Sequence, residues 1–152
     1  MNEQHLVAGD AEGRAEPDPG LRALDRLVGT WRVSGGAEGE VRYEWLEGGW
    51  FLVQGVDLVH DGRRTKGMEI IGRERGFGAP APAADITSRY FDDQGNTFDY
   101  VYDLDGDTLT IWGGERGSPA FYRGTFSDDG DVLSGAWVYP GGGYESTAVR
   151  IR

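Results

Sequence analysis

The run "GMEIIG" sets Glu69 between Met68 and the pair Ile70–Ile71. A carboxyl held among such neighbours loses hydration, its pKa rises toward neutrality, and it becomes suited to moving a proton. Glu44, Asp85 and Asp99 are the carboxylates that could complete an acid–base pair with it, whereas most other acidic residues stand in turns or on polar strand faces. A buried Glu69 also calls for a compensating partner, and Arg89, Arg123 and Arg150 are the cations expected to supply one. Structural pairing is therefore the first expectation for Glu69, and catalysis by it the second.

Other chemistry is sparse. Of two histidines, His5 lies near the N-terminus and His60 ends a strand-like run at "VHDGR". His60 is the one residue that could serve as a haem or metal ligand or a proton shuttle, against the plainer reading of a surface histidine beside a turn. There is no cysteine, which removes disulfides, thiolate nucleophiles and Cys-based metal sites. No glycine loop leads into Lys-Ser or Lys-Thr, no Gly-x-Ser-x-Gly elbow occurs, and "GRERGFG" lacks the spacing of a dinucleotide fingerprint. "DLDGD" has its glycine too early for a calcium loop and reads as a hairpin turn. No cofactor is predicted.

Rings are the conspicuous resource. Aromatic residues make up 12% of the chain, and Tyr43, Trp45, Tyr100, Tyr102, Trp112, Trp137 and Tyr144 form a set able to stack on a flat ligand or to fill a core. The formal charge of −11 and the absence of a basic patch argue against nucleic acid and anionic membrane surfaces as partners. No cationic start leads into an apolar signal core, and no run reaches the roughly 20 apolar residues of a membrane-spanning helix. A cytoplasmic protein without membrane insertion is the expectation.

Positioning these residues falls to strands. Residues 1–17 read as an acidic tail with little to bury, and 18–152 as a single domain. In "DPGLRALDRLVGT" Asp18 can cap, Pro19 suits a first turn, Leu21, Leu24, Leu27 and Val28 make an apolar stripe, and Gly29 suits the stop: one short amphipathic helix, docked on a barrel end or mouth. Thereafter turn chemistry punctuates β-runs placed near 30–35, 39–46, 50–60, 64–73, 85–91, 96–103, 107–113, 119–127, 131–139 and 143–151. Ten antiparallel strands with short sequential connections favour an all-β, up-and-down barrel, which also removes exposed sheet edges. Alternation points Val41, Tyr43 and Trp45 inward from one run and Phe98, Tyr100 and Tyr102 from another. "FLVQGVDLV" is apolar on both faces, so its inner side stays open, and the helix or a partner subunit is expected to cover the other. Gln54, like Glu69, is a polar residue inside an apolar run.

"LVGTWRVSGG", with Gly-x-Trp after a short helix, resembles the opening signature of calycin-type barrels, the grouping of lipocalins, fatty-acid-binding proteins and nitrobindins. The ordered series "YEWLEGGWFLVQ", "GMEIIG", "YFDDQGN", "DGDTLTIWGG" and "FYRGTFSDDGDVLSGAWVYPGGG" is similar to a bacterial calycin-like family across roughly residues 20–152. The resemblance implies a ten-stranded calycin-like barrel with Trp31 plugging the closed end and Tyr43, Trp45, Gln54, Glu69, Trp112, Arg123 and Trp137 at the cavity. The nitrobindin branch holds haem through a histidine near the C-terminus, and "GGGYESTAVRIR" contains none.

The leading functional expectation is binding of a small hydrophobic or aromatic molecule, stacked on Tyr43, Trp45, Tyr100, Tyr102, Trp112 and Trp137 and oriented by Gln54, Glu69 or Arg123. The alternatives are a cyclase- or isomerase-type enzyme acting on a flexible substrate through Glu69 or a tyrosine, a haem protein using His60, and protein–protein contact through the face of strand 51–59, the chain being a monomer or a homodimer.

Overall fold

A computed structural model describes residues 15–151; the tail expected over 1–17 and His5 fall wholly or mostly outside that range. Helix α1 (Pro19–Arg22) is followed by a 3-10 turn (Ala23–Leu27) and ten strands. These are β1 (Gly29–Gly35), β2 (Ala37–Trp45), β3 (Phe51–His60), β4 (Arg63–Gly72) and β5 (Ile86–Asp92), then β6 (Thr97–Asp105), β7 (Thr108–Gly113), β8 (Phe121–Phe126), β9 (Val132–Tyr139) and β10 (Gly142–Ile151). Each strand pairs antiparallel with its sequence neighbours, and β10 returns to β1, closing the barrel. The expected all-β, up-and-down barrel with one short N-terminal helix is thus the observed fold.

The helix is tighter than the sequence suggests. Leu21, Leu24 and Leu27 recur every three residues, the period of a 3-10 turn, so the tighter winding stacks all three on one face. All three are buried. Asp18 caps α1 by accepting hydrogen bonds from the amides of Gly20 and Leu21 at 3.0 and 3.3 Å.

This leucine face seals one end of the barrel. Beneath it Trp31, Leu52, Ile71, Leu109 and Phe126 are buried, and the indole N–H of Trp31 donates to the Leu27 carbonyl at 2.8 Å. Trp50 packs partly buried against the same core. Gly29, at φ 127°, turns the chain from helix into β1 where a side chain would strike Arg150.

Strand β3 resolves its two-sided pattern. Register with β2 and β4 turns Leu52, Gln54, Val56 and Leu58 inward and Phe51, Val53 and Val59 outward. The helix sits on the barrel end and leaves that outer face open: Phe51 and Val59, with Met68, Ile70 and Phe91 from the next two strands, are exposed. The long connection from Arg73 to Asp85 belongs to the sealed end. Arg73 grips both carboxylate oxygens of Asp18 at 2.8 Å and also reaches the Ala84 carbonyl. It therefore cannot act as a lid on the opposite end. Among the described residues no helix is long and apolar enough to cross a membrane.

Candidate functional site

The inward faces converge on a cavity of about 600 Å³. It runs from the floor toward the hairpin end, where Phe98 and Tyr139 line it while remaining 47% and 41% exposed. Pockets that enclose small ligands commonly fall in this size range.

One wall is a cross-strand row. Register places Tyr43 opposite Gln54, Gln54 opposite Glu69, Glu69 opposite Tyr90 and Tyr90 opposite Phe98. The Gln54 amide donates to the Tyr43 hydroxyl at 2.9 Å, and Tyr90 stacks on Phe98 with ring centres 5.6 Å apart. From Phe98 a chain of ring contacts continues through Tyr100 and Trp137 to Tyr122. Burial pushes the hydroxyls of Tyr90 and Tyr122 up to about 12 and those of Tyr43, Tyr100 and Tyr102 higher still, so every one of them stays neutral.

Glu69 is 5% exposed. Its Oε2 accepts hydrogen bonds from Ser88 Oγ at 2.5 Å and Tyr102 OH at 2.6 Å, distances of the short, charge-assisted kind. Burial raises its pKa, and the two hydroxyls offset part of that rise. The arginine partner expected from the sequence is replaced by hydroxyls. Arg89 pairs with Asp99 on the outer face, Arg123 donates to Thr110 Oγ1 at 3.2 Å, and Arg150 lies at the floor against Trp31.

Tyr43, Gln54, Glu69, Tyr100, Tyr102 and Trp137 all line the cavity. Three others proposed for it do not. Trp112 and Arg123 point outward, because Leu109 and Ile111 in β7 and Tyr122 and Phe126 in β8 take the inner positions. Outside, Arg116 lies over the Trp112 ring at 5.0 Å while pairing with Asp85 and Asp103, and Arg123 lies over Phe121. Trp45 points inward but below the cavity, where its indole N–H donates to Asp25 Oδ1 at 2.9 Å. Of the carboxylates weighed beside Glu69, Asp85 and Asp99 carry surface ion pairs and Glu44 faces Arg42, so none stands near it as an acid–base partner.

Sequence reading missed Ser88, Tyr90 and Tyr122. The signal was present in "ITSRYFD" and "FYRGTF", where alternation puts Ile86, Ser88 and Tyr90 on one face and Tyr122, Gly124 and Phe126 on another.

His60 stands at the rim. Its Nδ1 donates to the Gly36 carbonyl at 2.7 Å, its ring packs on Tyr144 with centres 4.3 Å apart, and Nε2 faces Asp61, whose side chain is almost wholly solvated. A haem would need a nitrogen aimed into the cavity and cations for its propionates. Neither is available, since no Arg or Lys lines the cavity among the described residues. The residues present do not fit haem. No group of three or more His, Asp or Glu side chains that could hold a metal occurs among the described residues.

Compared with known proteins, the chain matches no family model and no curated protein.

Proposed function

We propose that this barrel is a calycin-like binder of a small, ring-bearing and largely apolar molecule. The observation that carries the reading is the cavity itself. It has about 600 Å³ inside a closed barrel, and nine Phe, Tyr or Trp rings line it where aliphatic side chains would have filled a solid core. Neutral tyrosine hydroxyls and the Gln54 amide provide a few convergent polar groups to orient a ligand.

Trp137 is the one tryptophan on the cavity wall; Trp31, Trp45 and Trp50 pack at the sealed end and Trp112 outside. A flat apolar ligand is therefore expected to quench tryptophan emission and raise Tm together. In Trp137→Phe the quench should vanish while the rise in Tm persists. A chemically broad panel that produces neither signal with the wild-type protein overturns the reading.

A further inference from the structure

We propose that the cavity is built for a protonated amine, with Glu69 as its counter-ion and the tyrosine and tryptophan rings as its walls. This rests on the small-molecule reading above and names the ligand's charge.

The first observation is the unequal use of the two Glu69 oxygens. Oε2 is saturated by Ser88 and Tyr102, whereas Oε1 makes no hydrogen bond with the described residues. Yet no fully occluded side-chain oxygen or nitrogen among those residues lacks a partner. Oε1 must therefore border open space, and the space bordering Glu69 is the cavity. The protein has aimed one carboxylate oxygen at whatever occupies it. The Gln54 carbonyl oxygen, beside Glu69 in the register, likewise has no donor among the described residues.

The second observation is the charge of the lining. Its ionisable groups other than tyrosines are Glu69, Asp92 and, at the rim, His60; no Arg or Lys is among the lining residues. A buried carboxylate normally has a cation beside it. Here two hydroxyls supply part of the compensation, and among the described residues no side chain supplies the rest. An ammonium group would bring both the missing charge and several N–H donors, matching Oε1 and the Gln54 oxygen.

The third observation is the walls. Tyr100 and Tyr122 each meet Trp137 in a tilted ring contact on the cavity wall, and aromatic faces attract cations as well as apolar rings. The net charge of −11 favours the approach of cations to the protein as a whole. A carboxylate ligand would meet repulsion at every one of these points.

The test is isothermal calorimetry with three probes of one shape: naphthylethylamine, naphthylethanol and naphthylacetate. Expected is binding of the amine at least about tenfold tighter than the alcohol, with the acetate weakest, a charge-assisted hydrogen bond being worth roughly that factor. In Glu69→Gln the amine should lose its advantage over the alcohol. Equal binding of amine and alcohol by the wild-type protein overturns the amine assignment and leaves the small-molecule reading standing. An amine preference that survives Glu69→Gln also overturns it, by assigning the selectivity to Asp92 and net charge. If no probe binds, the amine assignment falls, and the small-molecule reading is decided by the broad panel. Should Glu69→Gln not fold, the wild-type order of the three probes decides alone.

Discussion

Arg150 stands directly opposite Trp31 in the pairing of β10 with β1, and its guanidinium carbon lies 4.3 Å from the centre of the indole ring. The same guanidinium donates to the carbonyls of Val28, Arg26 and Gly130 and to Asp131 Oδ1 at 3.0 Å. One side chain thus fastens the last strand to the first, to the end of the helical segment and to the turn before β9. Removing it strips donors from three carbonyls and the cation from the indole face. Arg150→Ala should lower stability by about 2–4 kcal/mol in urea unfolding. Arg150→Lys restores charge without the planar fork and should recover only part of that loss.

Asp18 does two jobs at the same end, capping α1 and holding Arg73 at the root of the 73–85 connection. Asn can still cap but cannot pair, whereas Ala can do neither. Asp18→Ala should cost about 1 kcal/mol for the cap plus about 0.5 kcal/mol for a pair whose acidic partner is substantially exposed; Asp18→Asn should lose only the second part. Arg73 is also the largest cause of the depressed Asp18 pKa, about 2. A group ionising more readily in the folded state stabilises above its unfolded pKa, and that contribution disappears as pH falls through the folded value. Acid titration should therefore loosen the 73–85 segment as pH falls toward 2, visible as faster hydrogen exchange there, whereas in Asp18→Asn the faster exchange should be present already at neutral pH and show no such acid step.

Glu69 predicts the opposite slope. Burial raises its folded pKa above the ordinary 4.5, so between those values the folded protein holds a proton that the unfolded chain has released. Stability from this group is present at acid pH and is lost as pH rises through the raised value. Tyr43, Tyr90, Tyr100 and Tyr102, which surround it, stay neutral throughout and cannot offset the change. In Glu69→Gln the amide oxygen can still accept from Ser88 and Tyr102 without carrying charge. The variant should match the wild type in Tm near pH 4 and exceed it increasingly toward neutrality. A wild-type advantage at neutral pH would show that the hydroxyls fully compensate the ionised form.

Strand positions were legible because turn residues and alternation are local signals. The interval expected at 64–73 is observed as Arg63–Gly72, and that at 131–139 as Val132–Tyr139. The cavity lining was less legible, because ring content and the family resemblance, not strand parity, placed Trp112 and Arg123 there. Trp112 follows Ile111, so the parity that buries Ile111 expels Trp112, and Arg116 then covers its ring on the outside. The partner of Glu69 was illegible for another reason. Ser88 and Tyr102 meet Oε2 through the pairing of β4 with β5 and β5 with β6, and that register is set by the closed barrel as a whole. Arginine was the expectation because it is the usual counter-ion; here two hydroxyls compensate the carboxyl in part, through one of its oxygens.

The cavity wall at Tyr122 depends on two missing side chains. Gly124 and Gly135 face each other across β8 and β9, and the Tyr122 ring lies over them: a Cβ at position 124 would sit 2.7 Å from Tyr122 Cζ, and one at 135 would sit 2.6 Å from Gly124 Cα. The obstacles differ in kind. At 124 the ring can swing away, and the space available to it is the cavity; at 135 the obstacle is backbone, and the strands themselves must shift. Gly124→Ala should therefore fold with a stability loss of about 1 kcal/mol but bind the naphthyl probes more weakly, because Tyr122 now occupies ligand space. Gly135→Ala should lose about 2–3 kcal/mol by straining the β8–β9 pairing. Calorimetry and urea unfolding on the two variants separate these effects. Equal stability losses with unchanged probe affinity would show that the ring over the glycines takes no part in shaping the cavity.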